Sequence, residues 1–165
     1  MKQVPIIIDQ LEKTPMVLQS LLGHIPRYRH RQRRLAGKWS LHEQVCHLVD
    51  AQDILIGRFK QFEREVNPHI SAHDPVGHQD ENYYLDMDLD AALARFPRIR
   101  SDMVEMLRSY PKAYWTYEGS HDAFEPYNTQ LLLNHCLAAD YAHIFSIEQL
   151  GLTKDERTAE IMVLP

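Results

Sequence analysis

Apolar residues recur at a helical period in four stretches of this chain. The clearest is "SLHEQVCHLVDAQDILIGRFKQF", where Leu41, Val45, Leu48, Leu55, Phe59 and Phe62 fall on one stripe. Ser40 and Glu43 stand at the spacing of a capping box, which satisfies free amides at a helix start. Asn67 and Pro68 close the region. An earlier helix covers residues 4–23 and stops at Gly23. Within it, Thr14 followed by Pro15 reads as an N-cap and first-turn proline, which predicts a break or kink. A third helix starts near Asp86 or Asp88, carries Leu89, Leu93, Phe96, Met103 and Leu107, and ends before Tyr110 and Pro111. Pro97 inside it should kink or divide it. A fourth opens at Asn128 or Thr129 and runs to Leu150, with Gly151 as its cap.

No stretch alternates at period two, so no strand is predicted. Four amphipathic helices around one core give an all-α fold, a four-helix bundle, with residues 1–165 as a single domain. The connections are roughly 17 to 24 residues each, where tight antiparallel bundles use about 2 to 8. Such lengths imply overhand crossings, or loops that build a site at one end of the bundle.

Composition narrows the function classes. A net charge of −5 argues against a surface built throughout for nucleic acid. No segment is apolar enough for a membrane span or a secretory leader, and the only cysteines, Cys46 and Cys136, fall inside helical patterns. A cytoplasmic chain with reduced thiols is the expectation.

Ten histidines are many for this length. His24, His30, His42, His69, His73, His78 and His121 lie in connections or at outward helical positions and are expected in solvent. His143 instead lines up with Leu132, Cys136, Ala139, Ile147 and Leu150, on the inward stripe of the last helix. His47 sits on the flank of its helix with Ala51 and Ile54. An inward imidazole is satisfied by hydrogen bonds, by a role as general base, or by a metal, and bundle cores are where such metal sites are built. His135 precedes His143 by eight residues, about 12 Å along a helix, and cannot share an ion with it. Asp140 and Asp50 each stand one turn from an inward histidine. Either suits a third ligand or a partner that orients an imidazole.

The run "GKWSLHEQVCHLVDAQDILIGRF", with its W-S cap leading into H-L-x-D, resembles the signature of the DinB/YfiT-like superfamily. The segments "LEKTPMVLQSLL", "DLDAALARFPRIR" and "LLLNHCLAADYAHIFSIEQL" resemble it in order. The resemblance implies a four-helix bundle, commonly a homodimer. It also implies a divalent metal such as zinc or nickel, held by one histidine of the second helix and an H-x-x-x-H pair of the fourth. Some members of the family transfer or isomerise substrates with low-molecular-weight thiols. Carried over by position, His47 and His143 are metal ligands, and Asp140 is the candidate for the third place. The first histidine of the pair falls on Ala139, which binds nothing. The resemblance therefore implies a metal-dependent, thiol-linked transferase with an altered metal site. The competing reading is a metal-free bundle that binds a small-molecule ligand or a partner and catalyses nothing.

"RYRHRQRR" gathers Arg27, Arg29, Arg31, Arg33 and Arg34. With no aromatic platform or recognition helix beside them, these arginines are expected to pair with the acidic connection of Asp74, Asp80, Glu81, Asp86, Asp88 and Asp90 rather than with nucleic acid. Capture of an anionic end of a thiol cofactor is the alternative. Tyr114, Trp115, Tyr117, Phe124 and Tyr127 in the third connection either cover the bundle end or line a pocket mouth.

Overall fold

The computed structural model describes residues 2–74 and 80–163. Four long helices carry the fold: α1 (Gln3–Gly23), α2 (Leu41–Arg64), α3 (Leu89–Ser109) and α4 (Thr129–Leu152). Each of α1 and α2 packs against both α3 and α4. The helices adjacent in sequence, α1 with α2 and α3 with α4, therefore sit across the bundle from each other. A tight turn cannot join diagonal helices, so the connections are long. They also fold over the bundle ends.

The caps form as the sequence predicts. Ser40 Oγ accepts from the Glu43 amide at 3.3 Å, and Glu43 Oε2 accepts from the Ser40 amide at 2.8 Å. Asp88 and Asn128 cap α3 and α4 through the amides of Ala91 and Leu131. Asn67 takes a left-handed conformation, φ 51°, just beyond α2.

Several expectations fail for identifiable reasons. α1 does not break at Thr14 and Pro15. The Leu11 carbonyl that Pro15 cannot serve lies 3.0 Å from the Thr14 hydroxyl and accepts from Arg100 Nη1 at 3.1 Å. α3 is not divided at Pro97. Gly151 is not a cap, because α4 continues to Leu152. A Cβ there would lie 2.3 Å from Ile25 Cδ1, so the glycine serves close packing. Strands do occur: β1 (His69–Ile70) pairs in parallel with β2 (Glu118–His121), and β2 pairs antiparallel with β3 (Tyr127–Asn128). Runs of two to four residues are too short for alternation to register. Gly119 lets β2 approach the bundle, since a Cβ there would lie 2.8 Å from the Phe62 ring.

A polar layer divides the core. Leu11, Phe59, Met103 and Cys136 belong to one buried apolar cluster, and Leu18, Leu48, Phe96 and Ile147 to another. Between them, one residue from each helix is polar and buried: Thr14, Gln52, Arg100 and Asp140. Arg100 Nη1 and Nη2 donate to Asp140 Oδ2 and Oδ1 at 2.6 and 3.0 Å, and Nη2 also donates to Gln52 Oε1 at 2.8 Å. Thr14 Oγ1 lies 2.5 Å from Asp140 Oδ2.

The arginine-rich loop is occupied by structural contacts. Arg33 binds Glu43 through two nitrogens and reaches Glu81, as expected of the acidic connection. Arg29 and Arg34 go elsewhere. They donate to the carbonyls of Leu150, Gly151 and Thr153 and to Asp155, satisfying the open C-terminus of α4. The aromatic connection divides its roles: Tyr114, Trp115 and Tyr127 are buried at the bundle end, while Phe124 is half exposed at a cavity. No helix among the described residues is long and apolar enough to cross a membrane.

Candidate metal centre

The packing of α2 against α4 brings His47 and His143 together. Their ring centroids lie 4.9 Å apart with planes at 64°. Two imidazoles sharing one ion at about 2.1 Å place their centroids about 5 Å apart. His47 is 7% exposed.

Both rings are held by the same nitrogen. His143 Nδ1 lies 2.6 Å from Gln44 Oε1. An amide oxygen only accepts, so Nδ1 carries the proton and Nε2 the lone pair. His47 Nδ1 lies 3.1 Å from the Tyr84 hydroxyl, which serves as acceptor when His47 adopts the same tautomer. Neither Nε2 finds a hydrogen-bond partner among the described residues, and both rings line a cavity of about 750 Å³. Trp39, directly before the N-cap Ser40, packs its indole against His47 and Tyr84, with centroids 4.9 and 5.2 Å away. The capping box thus fixes the indole as well as the helix start.

Burial keeps these imidazoles neutral. His47 is pushed down to about 3 by burial, with smaller effects from His143 and His73. Burial also lowers His143, against an upward pull from the Asp140 carboxylate. Neutral imidazole is the ligand form.

The third place is where the sequence reading meets difficulty. Ala139 lies on the cavity wall one turn before His143 and offers a methyl group. Asp140, the candidate third ligand, also borders the cavity, but both its oxygens accept from Arg100 in the polar layer. It acts on His143 through its charge and makes no hydrogen bond to it. Asp50 does not line the cavity. Among the described residues, no group of three histidine, cysteine or carboxylate side chains stands ready to hold an ion.

Three histidines expected in solvent do more than that. His42 is buried, with Nε2 2.9 Å from the Met87 carbonyl. His73 is exposed, yet its ring stacks parallel to His47 at 6.2 Å and borders the cavity. His121 lines the far end beside His135 and Phe124. His78 lies outside the described residues. Gln44 was within reach of the sequence, being one turn before His47 on the same helix. Tyr84 and His73 come from a connection whose path no local pattern encodes.

The sequence pattern of the DinB superfamily matches residues 10–152. Among solved structures, the chain is similar to YfiT from Bacillus subtilis, described as "a probable metal-dependent hydrolase with an unusual four-helix bundle topology". The two are 21% identical, with a TM-score of 0.80 over 91% of this chain and 86% of that one. A search of curated proteins finds no match.

Proposed function

The chain belongs to the DinB superfamily, and on that premise we propose that it is a metal-dependent enzyme acting on a small molecule in the cavity beside His47 and His143. The observation that carries this reading is the shared orientation of the two imidazoles. Each is fixed through Nδ1, by Gln44 or Tyr84, and neither Nε2 has a partner among the described residues. Such second contacts set tautomer and direction in metal-binding histidines. A bound zinc or nickel ion would supply Lewis acidity there, lowering the pKa of a bound water or thiol.

The protein's own residues do the rest. Gln44 and Tyr84 hold the rings, Trp39 covers one side of His47, and Leu48, Ala51 and Ile54 give the cavity an apolar wall. The chain's own thiols are poor nucleophiles. Cys46 and Cys136 are fully buried, and burial pushes both up to about 12. In a thiol-linked transfer the thiol therefore enters from solution as a low-molecular-weight co-substrate. With water as nucleophile, the same site hydrolyses.

A second reading is favoured by Ala139: a metal-free cavity that binds a small molecule without turnover. Titrating metal-stripped protein with zinc and with nickel, by calorimetry, separates the two. The first reading expects up to one equivalent per chain, lost in both His47→Gln and His143→Gln. Absence of binding, or binding indifferent to both variants, overturns it. A cytoplasmic homodimer completes the proposal. Exposed apolar side chains on α1, at Ile6, Met16 and Val17, and on α4, at Leu131, Tyr141 and Leu152, offer surface to a second copy. A monomeric mass by light scattering at about tens of micromolar would remove the dimer.

A further inference from the structure

Arg58, His121 and His135 line the end of the cavity remote from the paired histidines. His135 and His143 are two turns apart on α4, about 12 Å along the axis. The wall there offers donors without an acceptor. Arg58 spends one Nη2 hydrogen on the Ser71 carbonyl at 2.8 Å and has no carboxylate partner among the described residues. By contrast, Arg95, Arg100 and Arg108 each hold one. His121 Nδ1 accepts from the Ala123 amide at 3.0 Å, which leaves the proton of the neutral ring on Nε2 as a donor. His135 is half-buried and makes no hydrogen bond to any described residue. Its ring and that of His121 flank Phe124, at 5.6 and 4.8 Å.

Arg58 puts a positive charge on this wall although the protein carries a net charge of −5. Among the described residues of the cavity wall, the one carboxylate is Asp140, and Arg100 neutralises it. Burial lowers both His121 and His135 and the Arg58 charge adds to it, while the Asp122 carboxylate pulls His121 the other way. A monoanion placed among the three would meet a guanidinium and two ring donors in a partly dry site, where charge-assisted hydrogen bonds are strongest. From there, Leu55, Ile54, Ala51 and Leu48 lead along α2 toward His47.

We infer that Arg58, His121 and His135 form the subsite for the carboxylate of a small substrate whose apolar body lies along α2. This names the substrate class for the reading above and rests on that reading only for what happens at the other end of the molecule. An arginine suits a carboxylate because its planar fork matches the two oxygens.

The test uses the full chain without metal, with hexanoate and hexan-1-ol as probes, by calorimetry and by the imidazole proton resonances. Hexanoate should bind saturably and move the His121 and His135 resonances. Hexan-1-ol should bind at least about tenfold more weakly, the scale of one charge-assisted contact. Arg58→Gln should lose about the same factor, while Arg58→Lys, which keeps the charge, should lose less. His135→Leu gives a second, independent loss should Arg58→Gln fail to fold, which a thermal melt reports. Absence of hexanoate binding, equal binding of the alcohol, undiminished binding by folded variants, or shifts confined to His47 and His143 would each overturn the inference. Because no metal is present, hexanoate binding by a protein that takes up neither zinc nor nickel would leave this subsite standing and remove the metal-dependent reading. The reverse result would do the opposite.

Discussion

Asp140 and Arg100 face each other in the middle of the bundle, 0% and 1% exposed, with nitrogen–oxygen distances of 2.6 and 3.0 Å. Asp140 stands three residues before His143, where local spacing alone makes it a metal ligand. Its partner on α3 takes it out of that role. A carboxylate with both oxygens in charge-assisted bonds has little left to offer an ion.

Breaking this pair should cost far more than replacing it. Asp140→Asn leaves the guanidinium buried without its counter-charge, and a loss of about 3 to 5 kcal/mol is expected. The double variant Arg100→Met with Asp140→Leu should recover much of that loss, since it removes both desolvation penalties. Urea melts of the three proteins check this. A single variant within about 1 kcal/mol of wild type would contradict the buried pair.

Ala139→His should raise metal uptake. The new imidazole would stand one turn from His143 on the same face of α4 and supply the third ligand. Bound zinc or nickel should approach one equivalent per chain, and the melting temperature should climb with metal concentration, because an ion that binds only the folded state stabilises it. The wild type should show a smaller response. A wild type that already holds tight stoichiometric metal would show that the alanine is no defect.

In that Ala139→His protein, Gln44→Leu should weaken metal binding by about 10- to 100-fold, the usual cost of losing an orienting partner. The leucine keeps the bulk of the side chain while freeing the His143 tautomer. Unchanged affinity would show that the 2.6 Å contact with Gln44 does not set the ring.

Acid should destabilise the fold through the same histidines. His47 is lowered from 6.5 to about 3, and His143 is lowered as well. The unfolded chain therefore binds protons first as pH falls. The stability from keeping these rings neutral is fully present above pH 6.5 and is lost below it, until His47 itself protonates near 3. Each group contributes a slope of up to about 1.4 kcal/mol per pH unit. Between pH 6.5 and 5, before most carboxylates titrate, His47→Gln should show a shallower fall than wild type. Parallel curves would mean that His47 is not held neutral.

What the sequence reveals is what repeats locally. Helix periods, the Ser40–Glu43 box and the caps at Asp88 and Asn128 involve neighbours, and so does the inward face of His143. His47 is harder, because its wheel position is lateral. Its burial depends on Trp39 and on Tyr84, thirty-seven residues away. Pro15 misleads because the group that rescues the Leu11 carbonyl comes from α3. The strands are invisible because they are made of loop residues whose pairing is decided by where the bundle ends lie. The places of His73 and Arg58 at the cavity are not legible because an isolated polar residue in a pattern carries no sign of what faces it.

The polar layer also governs sliding. Apolar side chains interdigitate almost as well after a shift of one turn, about 5.4 Å along a helix, so two greasy helices have little to choose between neighbouring alignments. Arg100 and Asp140 do have a choice. Displaced by one turn, the carboxylate would face apolar side chains and the guanidinium would lose the Leu11 and Gln52 oxygens as well. With Thr14 on α1 joined to both groups and Gln52 on α2 joined to Arg100, all four helices are pinned at one height. The cavity inherits that fixity. His143 stands just beyond the pinned level on α4 and His135 just before it, so the span between the two ends of any bound molecule is set by the ion pair between them.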